Sequence, residues 1–184
     1  PVSASFPGEV SGMADSYSRP GFIWLLQDRD NPAELLTISH TGQQGPTVKV
    51  NGAENQDWED IVIGSGPEEG KKYLYIADAG DNFAVFDKYA VYRVEEPAIG
   101  QSETGPADKI SFVYEDGQQH NTEAILVDPA SRDIILITKD IPSSVFVLTY
   151  PYNTTTVNTA VKKAALQQST ITSAALSHDG KELL

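Results

Sequence analysis

Two glutamates occupy matching positions in two similar stretches of this chain. Glu59 lies in "DWEDIVIG" (57–64) and Glu123 lies in "NTEAILVD" (121–128), each at the polar start of an apolar run. Carboxylate and amide oxygens are hard ligands that suit Ca²⁺, or Mg²⁺ with retained waters. The neighbouring residues that could contact the same ligand are Asp57, Asp60 and Asn121.

A structural role for these glutamates is the alternative. Carboxylates at the entrance of a strand often accept hydrogen bonds from backbone N–H groups or pair with a lysine, here Lys139. A shared metal requires the oxygens of Glu59 and Glu123 to converge within reach of one cation, about 2.3–2.6 Å for calcium. A structural role leaves them hydrogen-bonded, with no vacant coordination position.

Further candidates lie in a loop and at the ends of predicted second strands. "ADAGDN" (77–82) is acidic and contains glycine, as calcium loops do, but it lacks the EF-hand spacing and terminal Glu. A turn held by Asp and Asn side chains is the competing interpretation. The metal candidates of this loop are Asp78, Asp81 and Asn82. At the strand ends, Asp28 and Lys139 are candidates for binding a ligand.

One histidine is a catalytic candidate. His120 directly precedes the stretch that contains Glu123 and could act as a general base toward a substrate or a water. His40 and His178 fall in turns, where we expect them to be solvated. The sequence has no G-x-S-x-G, Walker, dinucleotide-binding or H-E-x-x-H motif.

The composition limits the class of partner. The chain has 184 residues, is 40% hydrophobic and carries a formal charge of -13, which favours one acidic globular domain. This charge argues against binding to nucleic acid or to anionic membrane and favours a cationic partner or a metal. No apolar run approaches the roughly 20 residues of a membrane span. Without cysteine there is no disulfide or thiolate site. Because the chain begins at Pro1, we expect that a leader or upstream segment has been removed.

The elements that must position these residues are short strands. Runs rich in Val, Ile, Leu, Tyr and Phe alternate with Gly, Pro, Asn and Asp turns, which is typical of an all-β protein. Four stretches align as first strands: 9–16, 57–64, 121–128 and 171–180. Second strands are predicted at 21–28, 72–78 and 133–139, third strands at 34–40, 89–96 and 144–150, and fourth strands at 46–52, 108–114 and, less clearly, 160–168.

This repeat predicts a β-propeller of four-stranded antiparallel blades. The aligned residues Ser11, Glu59, Glu123 and Ser173 are 48, 64 and 50 residues apart. A blade has roughly 40–50 residues, and the extra length of the second unit falls in two loops. We therefore predict a single domain or fragment over 1–184. Its parts are blade 1 at about 9–52, blade 2 at about 57–114, blade 3 at about 121–168 and the start of blade 4 at about 171–184. The missing part of the chain or a second chain would complete a larger ring, such as a six-bladed one, and the four aligned residues would face its central channel.

The motifs also carry a resemblance. "DWEDI", "ADAGDN", "YAVYRVEEP" and "TEAILVDP" resemble a largely uncharacterised family of secreted or periplasmic β-propellers with the patterns DWEDIA, D-x-GDN, YR-x-PEP and H-x-EA-x-x-VDP. The chain departs from it at 27–30, where the family more often has an Asn-Asp-Ser-Gly turn. The resemblance implies a propeller in an extracellular or periplasmic location and no particular activity. More distantly, the pattern is similar to six-bladed calcium-dependent propellers of the lactonase, paraoxonase and phytase type, in which a Glu at the head of an inner strand helps to hold calcium.

Two functional hypotheses follow. In the first, the protein is a binding module for a small molecule or protein, with Ca²⁺ in a structural role. In the second, it is a metal-dependent hydrolase of lactonase, esterase or phosphoesterase type. There Glu59 and Glu123 would hold the cation, the cation would polarise the substrate or a water, and His120 would move the proton.

Overall fold

The structure is a computed structural model that describes residues 8–177 and 182–183. Within these residues the chain is all β and forms no helix of the length and apolarity needed to cross a membrane. The strands, in chain order, are β1 Val10–Asp15, β2 Phe22–Gln27, β3 Glu34–Ser39, β4 Val48–Lys49, β5 Trp58–Ser65, β6 Lys72–Asp78, β7 Tyr89–Glu95, β8 Asp108–Tyr114, β9 Thr122–Val127, β10 Ile134–Thr138, β11 Ser144–Leu148 and β12 Asn158–Ala165.

These strands form two sheets. The first is four-stranded and antiparallel, in the order β1-β2-β3-β4. The second has eight strands in the order β5-β6-β7-β8-β12-β11-β10-β9 and is mixed, because β12 runs parallel to β8. Its two edge strands lie against each other: Asp60 of β5 accepts a 2.9 Å hydrogen bond from the N–H of Ile125 in β9. The larger sheet therefore curls toward a barrel.

The all-β prediction is confirmed, but the predicted β-propeller of four-stranded antiparallel blades is wrong. Parallel pairing of β8 with β12 joins the predicted second and third blades into one sheet. Side chains fasten this junction: Asn158 donates to the carbonyl of Ser111 at 2.9 Å, and Glu115 accepts from the N–H of Lys162 at 2.6 Å. Hydrophobic alternation locates strands but does not say which neighbour the last strand of a unit will pair with.

The predicted start of a fourth blade is also different in the structure. Residues 171–177 contain no strand, and Leu176 forms only an isolated bridge to Leu183. His178 and the rest of 178–181, together with Leu184, lie outside the described residues. Ser173 is therefore not on a first strand equivalent to β1, β5 and β9.

The two tryptophans anchor the core beside the candidate site. Trp24 and Trp58 are both completely buried and belong to the cluster between the two sheets. The indole N–H of Trp58 donates to the carbonyl of Glu54 at 2.9 Å, and its ring lies 6.4 Å from that of Tyr92. This burial fixes the backbone of "DWED" and so the positions of its carboxylates.

Candidate metal centre

Register shifts in three strand pairs explain why Ser11, Glu59 and Glu123 are equivalent. The β1–β2 ladder skips Ser11, the β5–β6 ladder skips Glu59, and the shift in the β9–β10 ladder falls at Glu123. A bulge of this kind adds one residue to a strand and re-aims its side chain. All three side chains, together with Ser173, line one cavity of about 400 Å³. The structure thus brings the four predicted residues together, though not as a propeller channel.

Three carboxylates converge at this cavity, and we call them the acidic centre: Asp28, Asp57 and Glu59. One oxygen from each lies within 4.8 Å of the others. Asp28 follows β2, whereas Asp57 and Glu59 stand on either side of the buried Trp58 at the start of β5. The separation is no more than about twice a calcium–oxygen distance, so one ion could contact all three.

Asp57 is the innermost member of the acidic centre. Its side chain is 1% exposed, and neither carboxylate oxygen has a hydrogen-bond partner among the described residues. Asp28 and Asp57 lie close enough for a hydrogen bond between their side chains. This bond can form only when one of the two carboxyls holds a proton. Burial, followed by the charge of Asp28, raises the pKa of Asp57 to about 7. A buried carboxylate without a donor is costly and calls for a proton or a cation.

Glu59 is in a similar electrostatic environment. Burial raises its pKa to about 8, and the charges of Glu123, Asp28 and Asp57 raise it further. Lys139 lowers this pKa, but its effect is the smallest of those causes. Like-charged neighbours and desolvation both oppose ionisation, and they outweigh the opposing charges of Arg29 on Asp57 and of Lys139 on Glu59.

Gly80 packs directly against the acidic centre. Its N–H donates to the carbonyl of Asp57 at 3.1 Å. A Cβ at this position would lie 2.7 Å from Oδ2 of Asp57 and would collide with Oε1 of Glu59. The glycine of "ADAGDN" is therefore required by the space beside the carboxylates, a role that the residue pattern alone does not indicate.

Glu123 lies outside the acidic centre and is paired with Lys139. Its Oε1 accepts from Nζ of Lys139 at 2.7 Å and from the side-chain amide of Asn121 at 2.8 Å. Asn121 also donates to Oδ1 of Asn82 at 3.1 Å and accepts from the N–H of Asp81 at 2.7 Å. This network holds the loop after β6 beside the cavity.

Two other predicted residues bind backbone groups. Oδ1 of Asp78 accepts from the N–H groups of Gln56 and Asp57, at 3.1 and 2.8 Å, and so closes the turn that carries the acidic centre. Asp60 joins β5 to β9 through Ile125. Burial raises the pKa of Asp60 to about 7 and that of Asp78 to about 6, and the backbone donors lower both.

Asp81 organises its own loop. Its carboxylate accepts from the N–H groups of Val85 and Phe86, at 2.8 and 3.0 Å, and from the hydroxyl of Tyr89 at 2.9 Å. Asn82, next to it, is exposed. Asp81 therefore stabilises the turn by hydrogen bonds, as predicted by the interpretation of "ADAGDN" as a turn held by Asp and Asn side chains.

His120 is held between two aspartates away from the acidic centre. Its Nδ1 lies 2.6 Å from Oδ2 of Asp140 and its Nε2 lies 3.0 Å from Oδ2 of Asp116. Its ring packs against the rings of Tyr114 and Phe146, with centroids 4.7 and 4.9 Å away. Both ring nitrogens are thus engaged, and His120 does not line the cavity.

The sequence named every member of the acidic centre but not the grouping. It assigned Glu59 to a pair with Glu123, and Asp28 to a separate set of strand ends. A usable signal was present, because Asp28 directly follows the second strand of its unit and Asp78 is the last residue of β6. What the sequence does not show is that the turn after β2 lies over the start of β5, where the side chain of Asn55 donates to the carbonyls of Gln27 and Asp28 at 3.1 and 2.9 Å.

Comparisons with known proteins give only a weak likeness of fold. No protein-family model matches the chain, and no curated protein matches it either. Among solved structures, Kuenenia stuttgartiensis hydrazine synthase aligns with a TM-score of 0.49 and 13% identity, covering 94% of this chain and 42% of that one. The extracellular domain of a putative hybrid two-component system from B. thetaiotaomicron aligns with a TM-score of 0.48 and 16% identity, covering 96% and 19%. The chain spans less than half of either protein, so its function must be inferred from the site.

Proposed function

We propose that this protein is a binding module that holds a divalent cation, Ca²⁺, at Asp28, Asp57 and Glu59. The observation that carries the proposal is Asp57, whose two buried oxygens have no partner within the described residues although they adjoin two further carboxylates. A cation would give these oxygens the partner that the protein itself does not supply.

The electrostatics support a cation. Three carboxylates whose oxygens lie within 4.8 Å repel one another, and burial strengthens the repulsion. The raised pKa values of Asp57 and Glu59 indicate that the fold alone disfavours the ionised forms of these two groups. A divalent ion would replace the retained protons and favour the ionised forms, which are the ligand forms.

Calcium suits this site better than magnesium because its coordination geometry is more flexible. Calcium accepts six to eight oxygens at about 2.3–2.6 Å in flexible geometry, whereas magnesium demands a near-ideal octahedron at about 2.0–2.1 Å. The carboxylate oxygens, which lie within 4.8 Å of one another, are compatible with the calcium–oxygen distances. Extracellular calcium modules bind with dissociation constants of about 10⁻⁴ to 10⁻³ M, and we expect this range. It suits the extracellular or periplasmic location that the motif resemblance suggests.

The hydrolase alternative has less support. It needs a base that can reach a metal-bound water or a substrate in the cavity. His120 is instead held by Asp116 and Asp140, at 3.0 and 2.6 Å. Glu123, the other residue assigned to that mechanism, pairs with Lys139. We therefore favour a binding function over a catalytic one.

The test is calcium titration by calorimetry on the wild type, Asp57→Asn and Glu59→Gln. We expect one site per chain in the wild type and at least a tenfold loss of affinity in each variant, because each removes a charged ligand. Asp87→Asn is the matched control, since Asp87 is exposed and lies outside the acidic centre. A wild type that shows neither heat of binding nor a shift in thermal stability between calcium and chelator would refute the proposal.

A further inference from the structure

The cavity over the acidic centre contains more than carboxylates. Asp28 and Glu59 line it, whereas Asp57 lies behind them and does not. Thr172 and Ser173 also line it; both are exposed, and neither hydroxyl has a hydrogen-bond partner among the described residues. The cavity of about 400 Å³ falls within the roughly 300–1,000 Å³ typical of small-molecule sites.

A cation in the acidic centre would be open on its cavity side. Three carboxylates supply three to six oxygens, and calcium takes six to eight. Because Asp57 is buried and does not line the cavity, whereas Asp28 and Glu59 do, the remaining coordination positions of such a cation would face the cavity. Solvent or the oxygens of a ligand can fill them, and the hydroxyls of Thr172 and Ser173 are available to the same ligand.

The charge of the filled site selects a neutral ligand. Five carboxylates act on this site, those of Asp28, Asp57, Asp78, Glu59 and Glu123. A divalent cation, Lys139 and Arg29 would supply four positive charges. The occupied site therefore keeps about one net negative charge, within a chain of formal charge -13. An anion would be repelled by this field, so uncharged oxygens are the suitable additional ligands.

We propose that the cavity takes a neutral ligand with adjacent hydroxyl groups, of the kind found in a sugar, with two vicinal oxygens completing the shell of the bound Ca²⁺. The hydroxyls of Thr172 and Ser173 contact the rest of the ligand by hydrogen bonds. This inference rests on the proposed function, because without the cation the cavity has no partner for the vicinal oxygens.

The experiment is an NMR titration of isotope-labelled protein with methyl α-D-mannopyranoside, in calcium and again in chelator. We expect shifts of the cavity residues in calcium only, and no such shifts for Asp57→Asn. The double variant Thr172→Ala/Ser173→Ala should bind the glycoside about fivefold to tenfold more weakly, as for the loss of one or two hydrogen bonds. Its calcium affinity should be unchanged. Ser102→Ala, which is exposed and does not line the cavity, is the matched control.

Several outcomes would overturn the inference. The first such outcome is calcium binding in which neither methyl α-D-mannopyranoside nor a panel of other neutral methyl glycosides shifts the NMR signals of the cavity residues. It would refute the inference and leave the proposed function standing. Glycoside binding that survives chelation would remove the role of the cation. Tighter binding of D-glucuronate than of the neutral glycoside would refute the charge argument, and binding of spermidine in chelator alone would assign the cavity to a cationic ligand. Absence of calcium binding would refute both proposals.

Discussion

Replacing Asp57 by Asn should make the metal-free protein more stable. In the folded chain the Asp57 carboxylate is buried without a donor, and its pKa is raised from 3.8 to about 7. The full difference corresponds to an upper limit of about 4 kcal/mol. Solvent in the adjoining cavity screens part of this energy, so we expect about 2 kcal/mol at pH 8. For a domain of this size the melting temperature should rise by about 4–8 °C.

The pH dependence gives the sign of this effect. Below about pH 3, under the ordinary pKa of 3.8, Asp57 is mostly protonated in both folded and unfolded chains, so the wild type carries almost no penalty there. As the pH rises toward about 7, the unfolded chain loses this proton first and the folded state loses stability. Glu59, with a pKa of about 8, extends the decline to higher pH. The wild type and Asp57→Asn should therefore be similar in stability near about pH 3 and differ most at about pH 8.

Urea unfolding in chelator, followed by the fluorescence of the buried Trp24 and Trp58, measures this difference. Saturating calcium should narrow this difference. Calcium at 100 times the wild-type dissociation constant stabilises the wild type by about 2.7 kcal/mol, but a variant that binds tenfold more weakly by only about 1.4 kcal/mol. Asp87→Asn should behave as the wild type at each pH. An Asp57→Asn variant that is less stable than the wild type at pH 8 in chelator would refute the reasoning, since it would show that the carboxylate already has favourable partners.

Three further changes test the surroundings of the acidic centre. Gly80→Ala should weaken calcium binding by about tenfold or more, because the added methyl group meets the carboxylates; calorimetry with unchanged affinity would contradict this. Asp60→Ala should lower the free energy of unfolding by about 2–3 kcal/mol, because the N–H of Ile125 loses its acceptor. Asp60→Asn, which keeps an acceptor, is the control. A loss below about 0.5 kcal/mol in urea unfolding would show that this hydrogen bond between β5 and β9 contributes little. Lys139→Met should tighten calcium binding about fivefold by removing a positive charge near the site, although Glu123 loses its partner; weaker binding would show that the ammonium helps to position the site.

Much of the local structure could be predicted from residue patterns. The second strand predicted at 72–78 is β6, Lys72–Asp78, and the first strand predicted at 57–64 is β5, Trp58–Ser65. Alternating apolar residues bounded by Gly, Asn and Asp turns indicate strands because these elements are short and half of each must be buried. The polar residues at the cavity could also be predicted, because "DWEDIVIG" places carboxylates on both sides of a Trp at the start of an apolar run.

The lateral pairing of the strands and the grouping of the carboxylates depended on the tertiary structure. The repeat of four strands per unit did not predict that β12 pairs with β8, because backbone hydrogen bonds between strands do not depend on the identity of the side chains. Likewise, the register shifts that aim Glu59 and Glu123 at one cavity, and the turn that brings Asp28 over Asp57, arise from contacts between residues far apart in the chain. The sequence by itself determined an acidic all-β protein with these carboxylates at strand entrances. Only the fold decided that Glu123 meets Lys139, whereas Asp57 remains buried without a partner, because burial and neighbouring charge are properties of three-dimensional proximity.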